Sequence, residues 1–174
     1  MEIKDLKFLA KGKRSEVYTG FLGKKKVSVK VSPRAGIESK WLKLLNKHKI
    51  GPKFVKVSKN ELIYEFISGK RIGECLNKKV VKKVLMQCRI LDKLKIDKKE
   101  LTNPYKHILV HKGKVVMIDF ERCHKVKKSK NVTQFGEYIM RKKLVPRVSF
   151  TKLLIEYKKN QSEKNFKKIL SFFS

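Results

Sequence analysis

The sequence predicts an α+β protein of two lobes, a small strand-rich one followed by a mainly helical one. Three observations carry that expectation. The run KVSVKV at residues 26–31 alternates at period two, with Val27, Val29 and Val31 on one face and Lys26, Ser28 and Lys30 on the other. Farther along, Val80, Val81, Val84, Leu85, Cys88, Leu91 and Leu94 fall on one stripe of a helix. Between the two, the pair Ser68-Gly69 reads as a hinge, which divides the chain into residues 1–67 and 68–174.

The elements follow in order. Residues 1–32 read as strands, with Gly20 and Gly23 bracketing a turn before KVSVKV. From Gly36 the period lengthens to that of a helix, with Ile37, Trp41, Leu44 and Leu45 on its apolar stripe and Trp41 as a core residue. The turn signal Ile50-Gly51-Pro52 ends it. Two short strands come next, around FVKV and ELIYEF. After the second helix the chain passes through an irregular polar loop at 97–106. Two strands then follow, HILV and VVMIDF, joined through His111-Lys112-Gly113-Lys114. The rest reads as helical from a start at Asn131, broken at Pro146 and by the polar run KKNQSEKN.

Composition bounds the function. The 174 residues suit one domain or two small lobes, and 41% hydrophobic content is enough for a core. Lysine and arginine number 46 against 15 acidic residues, a net charge of +31. That surplus implies a polyanionic partner, RNA being the commonest, although lysines that merely solvate helix faces contribute to it. Cys75, Cys88 and Cys123 show no CxxC spacing and read as free thiols of a reducing compartment. No signal segment and no apolar run of membrane-spanning length is visible, so a soluble, cytoplasmic protein is expected.

Three stretches bear chemistry. LAKGKRSEVYTG lies between the first two strands, where a small-residue turn would let backbone N–H groups approach phosphates. Gly12 is its only internal glycine before the strand resumes, with Ala10 and Ser15 as small companions; taken alone, the stretch reads better as an ordinary hairpin turn. Lys30 projects from the face opposite three valines, and Glu38 follows on the next helix, where an acid can fix a lysine and aim its charge. In VVMIDFERC a buried strand breaks into Asp119, Phe120, Glu121 and Arg122, and an acid at that point is usually there to hold something.

In this order the Gly-loop, VSVK, the helix Glu, LIYEF, HILV and IDF resemble an abbreviated protein kinase over residues 5 to about 125. The pattern is similar in particular to RIO-type and other small archaeal atypical kinases, including the kinase subunit of the tRNA threonylcarbamoyladenosine complex. It is most similar to a group of short archaeal predicted Ser/Thr kinases. The resemblance implies a two-lobed kinase-like fold with ATP and Mg²⁺ in the interlobe cleft. Ala10, Gly12, Ser15 and Val17 would cover the nucleotide, and Lys30, oriented by Glu38, would contact its α/β-phosphates. Glu65, Phe66 and Ile67 would receive the adenine, and Asp119 would coordinate Mg²⁺.

The departures bear on activity. HILV places His107 where an Asn would bind the second metal; a neutral imidazole can bind Mg²⁺ there, although hard cations prefer oxygen. Family spacing counted back from His107 lands on Thr102, which cannot act as a base. A loop two residues longer puts Lys98-Lys99-Glu100-Leu101 on the catalytic-loop positions and makes Glu100 the acid. DFG has become DFE, and no APE-like segment follows. His107, His111, Cys123 and His124 fit no standard zinc spacing. RCHKVKKSK (122–130) reads equally as an RNA clamp and as a solvated basic loop. Two functions stay open. One is an active phosphotransferase or ATPase acting on Ser/Thr of a protein or of itself. The other is a catalytically quiet nucleotide-binding module that docks on tRNA or ribosomal RNA.

Overall fold

The computed structural model describes residues 2–174 and shows an α+β protein with a five-stranded antiparallel sheet and five α-helices. The chain divides into two compact units. The first runs through Ser68 and also takes Val116–Arg122; the second comprises Gly69–Val115 and Cys123–Ser174. A boundary at residue 67/68 alone leaves that short excursion out, and the excursion carries Asp119.

In the first unit the sheet order is β1-β2-β3-β5-β4. Its strands are β1 (Ile3–Lys11), β2 (Glu16–Leu22), β3 (Lys25–Val31), β4 (Phe54–Val57) and β5 (Glu61–Glu65). β1 is bulged, with register shifts between Lys4 and Lys7 and between Phe8 and Ala10, and Asp5 sits at φ 54°. Gly20 is required opposite the first bulge, because a Cβ there would lie 2.6 Å from Ile3 Cγ2 and 2.9 Å from the Lys4 carbonyl. Both faces of the β3 centre are buried. Val27 and Val29 pack with Ile63 in an apolar cluster, while Ser28 and Lys30 are buried on the other face. Val31 stands apart from the other two valines and is exposed.

Helix α1 (Ala35–Asn46) buries Ala35, Glu38, Ser39, Leu42 and Leu45. The buried stripe is therefore rotated from the expected one: Ile37 is exposed, Trp41 and Leu44 are half-buried, and a carboxylate takes a core position. The helix start lacks a side-chain cap, but Glu38 in its first turn suits the positive end of the helix dipole. Asn46 fixes the exit, donating to the Ile50 and Pro52 carbonyls at 3.0 Å each and accepting from the Phe54 N–H at 2.8 Å.

The second unit is mainly helical. α2 (Lys78–Lys93) is capped by Asn77, whose side chain accepts from the Val80 N–H, and it buries Val80, Val81, Val84, Leu85, Cys88 and Leu91 as the pattern predicts. α3 (Asn131–Arg141), α4 (Arg147–Lys159) and α5 (Glu163–Leu170) follow, with Pro146 immediately before α4 and Ser162 capping α5. Three short strand pieces were not legible in the sequence. β6 (Lys70–Arg71) pairs with β8 (Ile108–His111), and β7 (Ile96–Asp97), inside the expected loop, pairs with β10 (His124–Lys125). β8 turns through Lys112 and Gly113, both at positive φ, into β9 (Lys114–Met117).

A buried polar network locks this unit. Asp92 Oδ1 accepts from the Asn131 backbone N–H (2.9 Å) and Nδ2 (2.8 Å), and Oδ2 from the Tyr157 hydroxyl (2.9 Å) and the Val132 N–H (3.3 Å). An aspartate on α2 thereby caps the N-terminus of α3, satisfying donors that α3 cannot pair itself. Asn131 also receives the Lys98 N–H on Oδ1 at 3.0 Å and donates to the Ile96 carbonyl, and Arg89 donates to Tyr157 at 3.0 Å.

Candidate functional site

The site-bearing residues of the first unit meet around Lys30. Its ammonium is 2.7 Å from Glu38 Oε2, 2.9 Å from Asp119 Oδ1 and 3.9 Å from Glu121 Oε2. Lys30 and Asp119 are 89 positions apart in sequence. Lys30 is 6% exposed and Glu38 3%, whereas about a third of the Asp119 side chain (34%) meets solvent. Glu38, Asp119 and Glu121 bring carboxylate oxygens within 4.8 Å of one another.

Each position has a local cause. Lys30 sits mid-strand in β3, flanked by Val17 of β2 and Leu62 of β5 in register. Glu38 uses both oxygens: Oε2 holds Lys30, and Oε1 accepts the Phe120 N–H at 3.1 Å. One carboxylate thus ties the strand lysine to the IDF segment. Phe120 is almost fully buried and packs at Gly51, where an added Cβ would lie 2.8 Å from both Phe120 Cε2 and Leu42 Cδ1. Gly51 has φ 84°, so it meets a conformational and a spatial demand together. Asp119 itself lies at φ 64°, a left-handed conformation that is uncommon for a non-glycine residue and concentrates at functional sites.

The electrostatics are unbalanced. Burial alone would lower the Lys30 pKa, but Glu38 and Asp119 outweigh it and hold the ammonium well above the usual lysine range. Burial pushes the Glu38 carboxyl up, with Lys30 opposing. Burial also pushes up the phenol of Tyr64, the strand neighbour of Ser28. Three carboxylates face one ammonium at this spot, in a chain whose overall charge is +31. Carboxylate oxygens gathered within 4.8 Å of one another, one of them on a part-exposed aspartate, are the donor type a hard divalent cation takes, so the residues present fit Mg²⁺. Glu121 was legible in the sequence only as a departure from the family motif. Its side chain makes it a third acid of the cluster.

The phosphate-covering loop differs from expectation. Gly12 donates its N–H to the Ser15 carbonyl at 2.7 Å, closing a tight hairpin, so that amide is not open to a phosphate. Ala10 pairs with Val17 in the β1–β2 ladder. Beside the turn lies a cavity of about 320 Å³ whose lining includes Lys11, Lys13, Arg14 and Ser15; positive side chains stand where backbone amides were expected. At the predicted adenine segment, the Glu65 N–H donates to the Lys53 carbonyl (2.8 Å) and the Phe66 N–H to the Lys26 carbonyl (3.3 Å). Ile67 is the next backbone donor along the chain.

Glu100 and His107 are brought together in the second unit, with Oε2 and Nδ1 3.5 Å apart. Glu100 and Lys99 both have φ 61°, two successive left-handed residues in the predicted catalytic loop. Thr102 lies in the turn after them, with its carbonyl accepting from Arg141. Of the basic run 122–130, Lys125 donates to the Leu94 carbonyl at 2.9 Å and Lys128 to the Lys159 carbonyl at 3.0 Å. These lysines serve the carbonyl ends of α2 and α4, which narrows the clamp reading of that loop. No described helix is long and apolar enough to cross a membrane.

No protein-family model matches the chain, and no curated protein matches it.

Proposed function

We propose that this protein binds ATP with Mg²⁺ through the Lys30 cluster and transfers the γ-phosphoryl group to a Ser/Thr hydroxyl, of a protein or of itself. In this reading the two units are the lobes of an abbreviated, RIO-like kinase. The observation that carries it is the buried Lys30 ammonium held by Glu38 and Asp119, with Glu121 alongside. Within this cluster Asp119 keeps about a third of its side chain in solvent and holds a left-handed backbone, a conformation that concentrates at functional sites.

Lys30 is the group that meets phosphate oxygens, and Glu38 keeps it in place. Asp119, the more exposed acid, would hold the cation, with Glu121 as a second oxygen donor. Bound Mg²⁺ supplies neutralisation of the phosphate charge. Lys13 and Arg14 add positive charge at the hairpin. Glu100 accepts the proton of the attacking hydroxyl, a role that rests on the sequence resemblance and on its strained, His107-paired setting.

The test is a melting curve with millimolar ATP and Mg²⁺. A ligand that binds only the folded state stabilises it by RT ln(1 + [L]/Kd), so the wild type should melt higher. Lys30→Ala and Asp119→Ala should shrink that shift, and an unchanged wild-type melting temperature would sink the reading. The net charge of +31 favours a second reading, a catalytically quiet module that docks on tRNA or ribosomal RNA. Release of labelled phosphate from ATP, with and without bulk tRNA, separates the two.

A further inference from the structure

We propose that the second unit carries its own site for a phosphorylated nucleoside, free or as part of an RNA strand. It lies in the cavity beside the 103–107 turn and the C-terminal end of α3. This inference stands apart from the ATP reading and shares no residue with it except His107. The cavity measures about 730 Å³, within the range of small-molecule sites. Three cations line it, Lys106, Arg141 and Lys142, and none of the lining residues is acidic.

The lining also includes Tyr138, which is 3% exposed; its hydroxyl is buried and has no hydrogen-bond partner among the described residues. A buried hydroxyl left unpaired is costly, and a ligand oxygen in the cavity would supply the partner. Tyr105, at 39% exposure, offers an aromatic ring at the same cavity, with the Arg71 guanidinium 5.0 Å from its centroid. Gly73 sets that ring, since a Cβ there would lie 2.8 Å from Tyr105 Cδ2. Cations for a phosphate next to an aromatic for a base are what a nucleotide needs.

A plainer account covers part of this. Arg141 and Lys142 complement the negative end of α3, and Lys142 also lies 5.7 Å from the Tyr138 ring centroid. The nearby acids are engaged as well, Glu100 with His107 and Glu74 with the Tyr105 hydroxyl at 3.5 Å. Helix-end electrostatics accounts for neither Lys106 nor the buried Tyr138 hydroxyl.

The test uses the full chain in EDTA, so that the Mg²⁺-dependent reading is not engaged. Fluorescence anisotropy follows a labelled single-stranded RNA of about ten nucleotides at about 0.1 M salt, and calorimetry follows AMP and adenosine. Lys106→Glu with Lys142→Glu should weaken binding about tenfold or more. Tyr138→Phe should weaken it about threefold at an unchanged melting temperature. Lys24→Glu with Lys25→Glu, the same charge change in the first unit, should stay within about twofold. Adenosine, lacking phosphate, should not bind. AMP that binds and displaces the RNA shows that both sources use the site. AMP binding without RNA binding assigns it to free nucleotides, and cavity-dependent RNA binding that AMP does not displace assigns it to a strand. Because these measurements are made in EDTA, their outcome stands whether or not ATP with Mg²⁺ shifts the melting temperature. Equal loss from both lysine pairs would show diffuse attraction and overturn the proposal. So would no binding of either AMP or RNA.

Discussion

Each unit of this protein buries a polar cluster that includes a carboxylate, and the two knots are built on opposite terms. In the second unit both oxygens of Asp92 are saturated by four donors, from Asn131, Val132 and Tyr157, and Arg89 sits one hydrogen bond away. In the first unit the Lys30 ammonium is held by Glu38 and Asp119, with Glu121 at 3.9 Å, and about a third of the Asp119 side chain reaches solvent, whereas Asp92 is 3% exposed. A closed network rigidifies a core; one whose acid reaches solvent can be approached from outside the chain. The exposure of the acid distinguishes the two.

The largest expected effect tests the saturated side. Asp92→Ala leaves the N-terminal donors of α3 and the Tyr157 hydroxyl without their acceptor, and should cost about 3 kcal/mol or more of unfolding free energy in urea titration. A cost under about 1 kcal/mol would remove the contrast between the two knots. Next comes an acid of the same unit assigned to chemistry instead. Glu100→Gln should lower turnover by about 100-fold or more while leaving the ATP melting shift intact, and Thr102→Ala should do little. If Thr102→Ala proved the damaging change, the two-residue insertion in the catalytic loop would be wrong.

On the open side the sign reverses. Glu121→Gln removes one of three like charges, so stability in the absence of ligand should be unchanged or higher by up to about 1 kcal/mol, while the ATP–Mg²⁺ melting shift shrinks. Destabilisation comparable to that of Asp92→Ala would make the cluster structural.

Much of this was legible in the residues because it was written in short-range periodicity. The alternation of KVSVKV and the apolar stripe from Val80 to Leu91 give β3 and α2 directly, and Lys30 stands out as a charge in an apolar strand; the expected strand VVMIDF ends sooner, at Met117, so Asp119 lies just past β9. The fit of Glu38 was suggested only by motif order. What was not legible depends on contacts between distant positions. Asp92 caps a helix that starts 39 residues later, and nothing local marks it. β6, β7 and β10 are two-residue strands, too short to show a period. The α1 stripe was misplaced because Glu38 and Ser39 occupy buried positions that a hydrophobic template assigns to Ile37 and Trp41. The residues around Gly12 read by themselves as a hairpin turn, which its amide closes; the open phosphate loop came only from the order of the motifs.

The smallest effect reads the saturated knot through a neighbour. Cys88 on α2 is fully buried, and burial first, then the negative charge of Asp92, pushes its thiol pKa well above the ordinary value of 9.0. In the unfolded chain that thiol ionises near its ordinary value; in the folded chain it stays protonated. A raised folded pKa contributes stability that is complete below the unfolded value and fades as pH rises above it, because only the unfolded state then gains by ionising. Wild type should therefore lose about 1 kcal/mol more than Cys88→Ala between pH 8 and pH 10. Tyr64 and Tyr157, also raised by burial, add a decline of the same sign in both proteins, so the difference between them isolates Cys88. Cys75, only partly buried, should meanwhile be the thiol that reacts fastest with a alkylating reagent in the native protein. Parallel pH profiles for wild type and Cys88→Ala would mean that Cys88 ionises as readily folded as unfolded, and that the Asp92 knot is not the dry, closed structure described above.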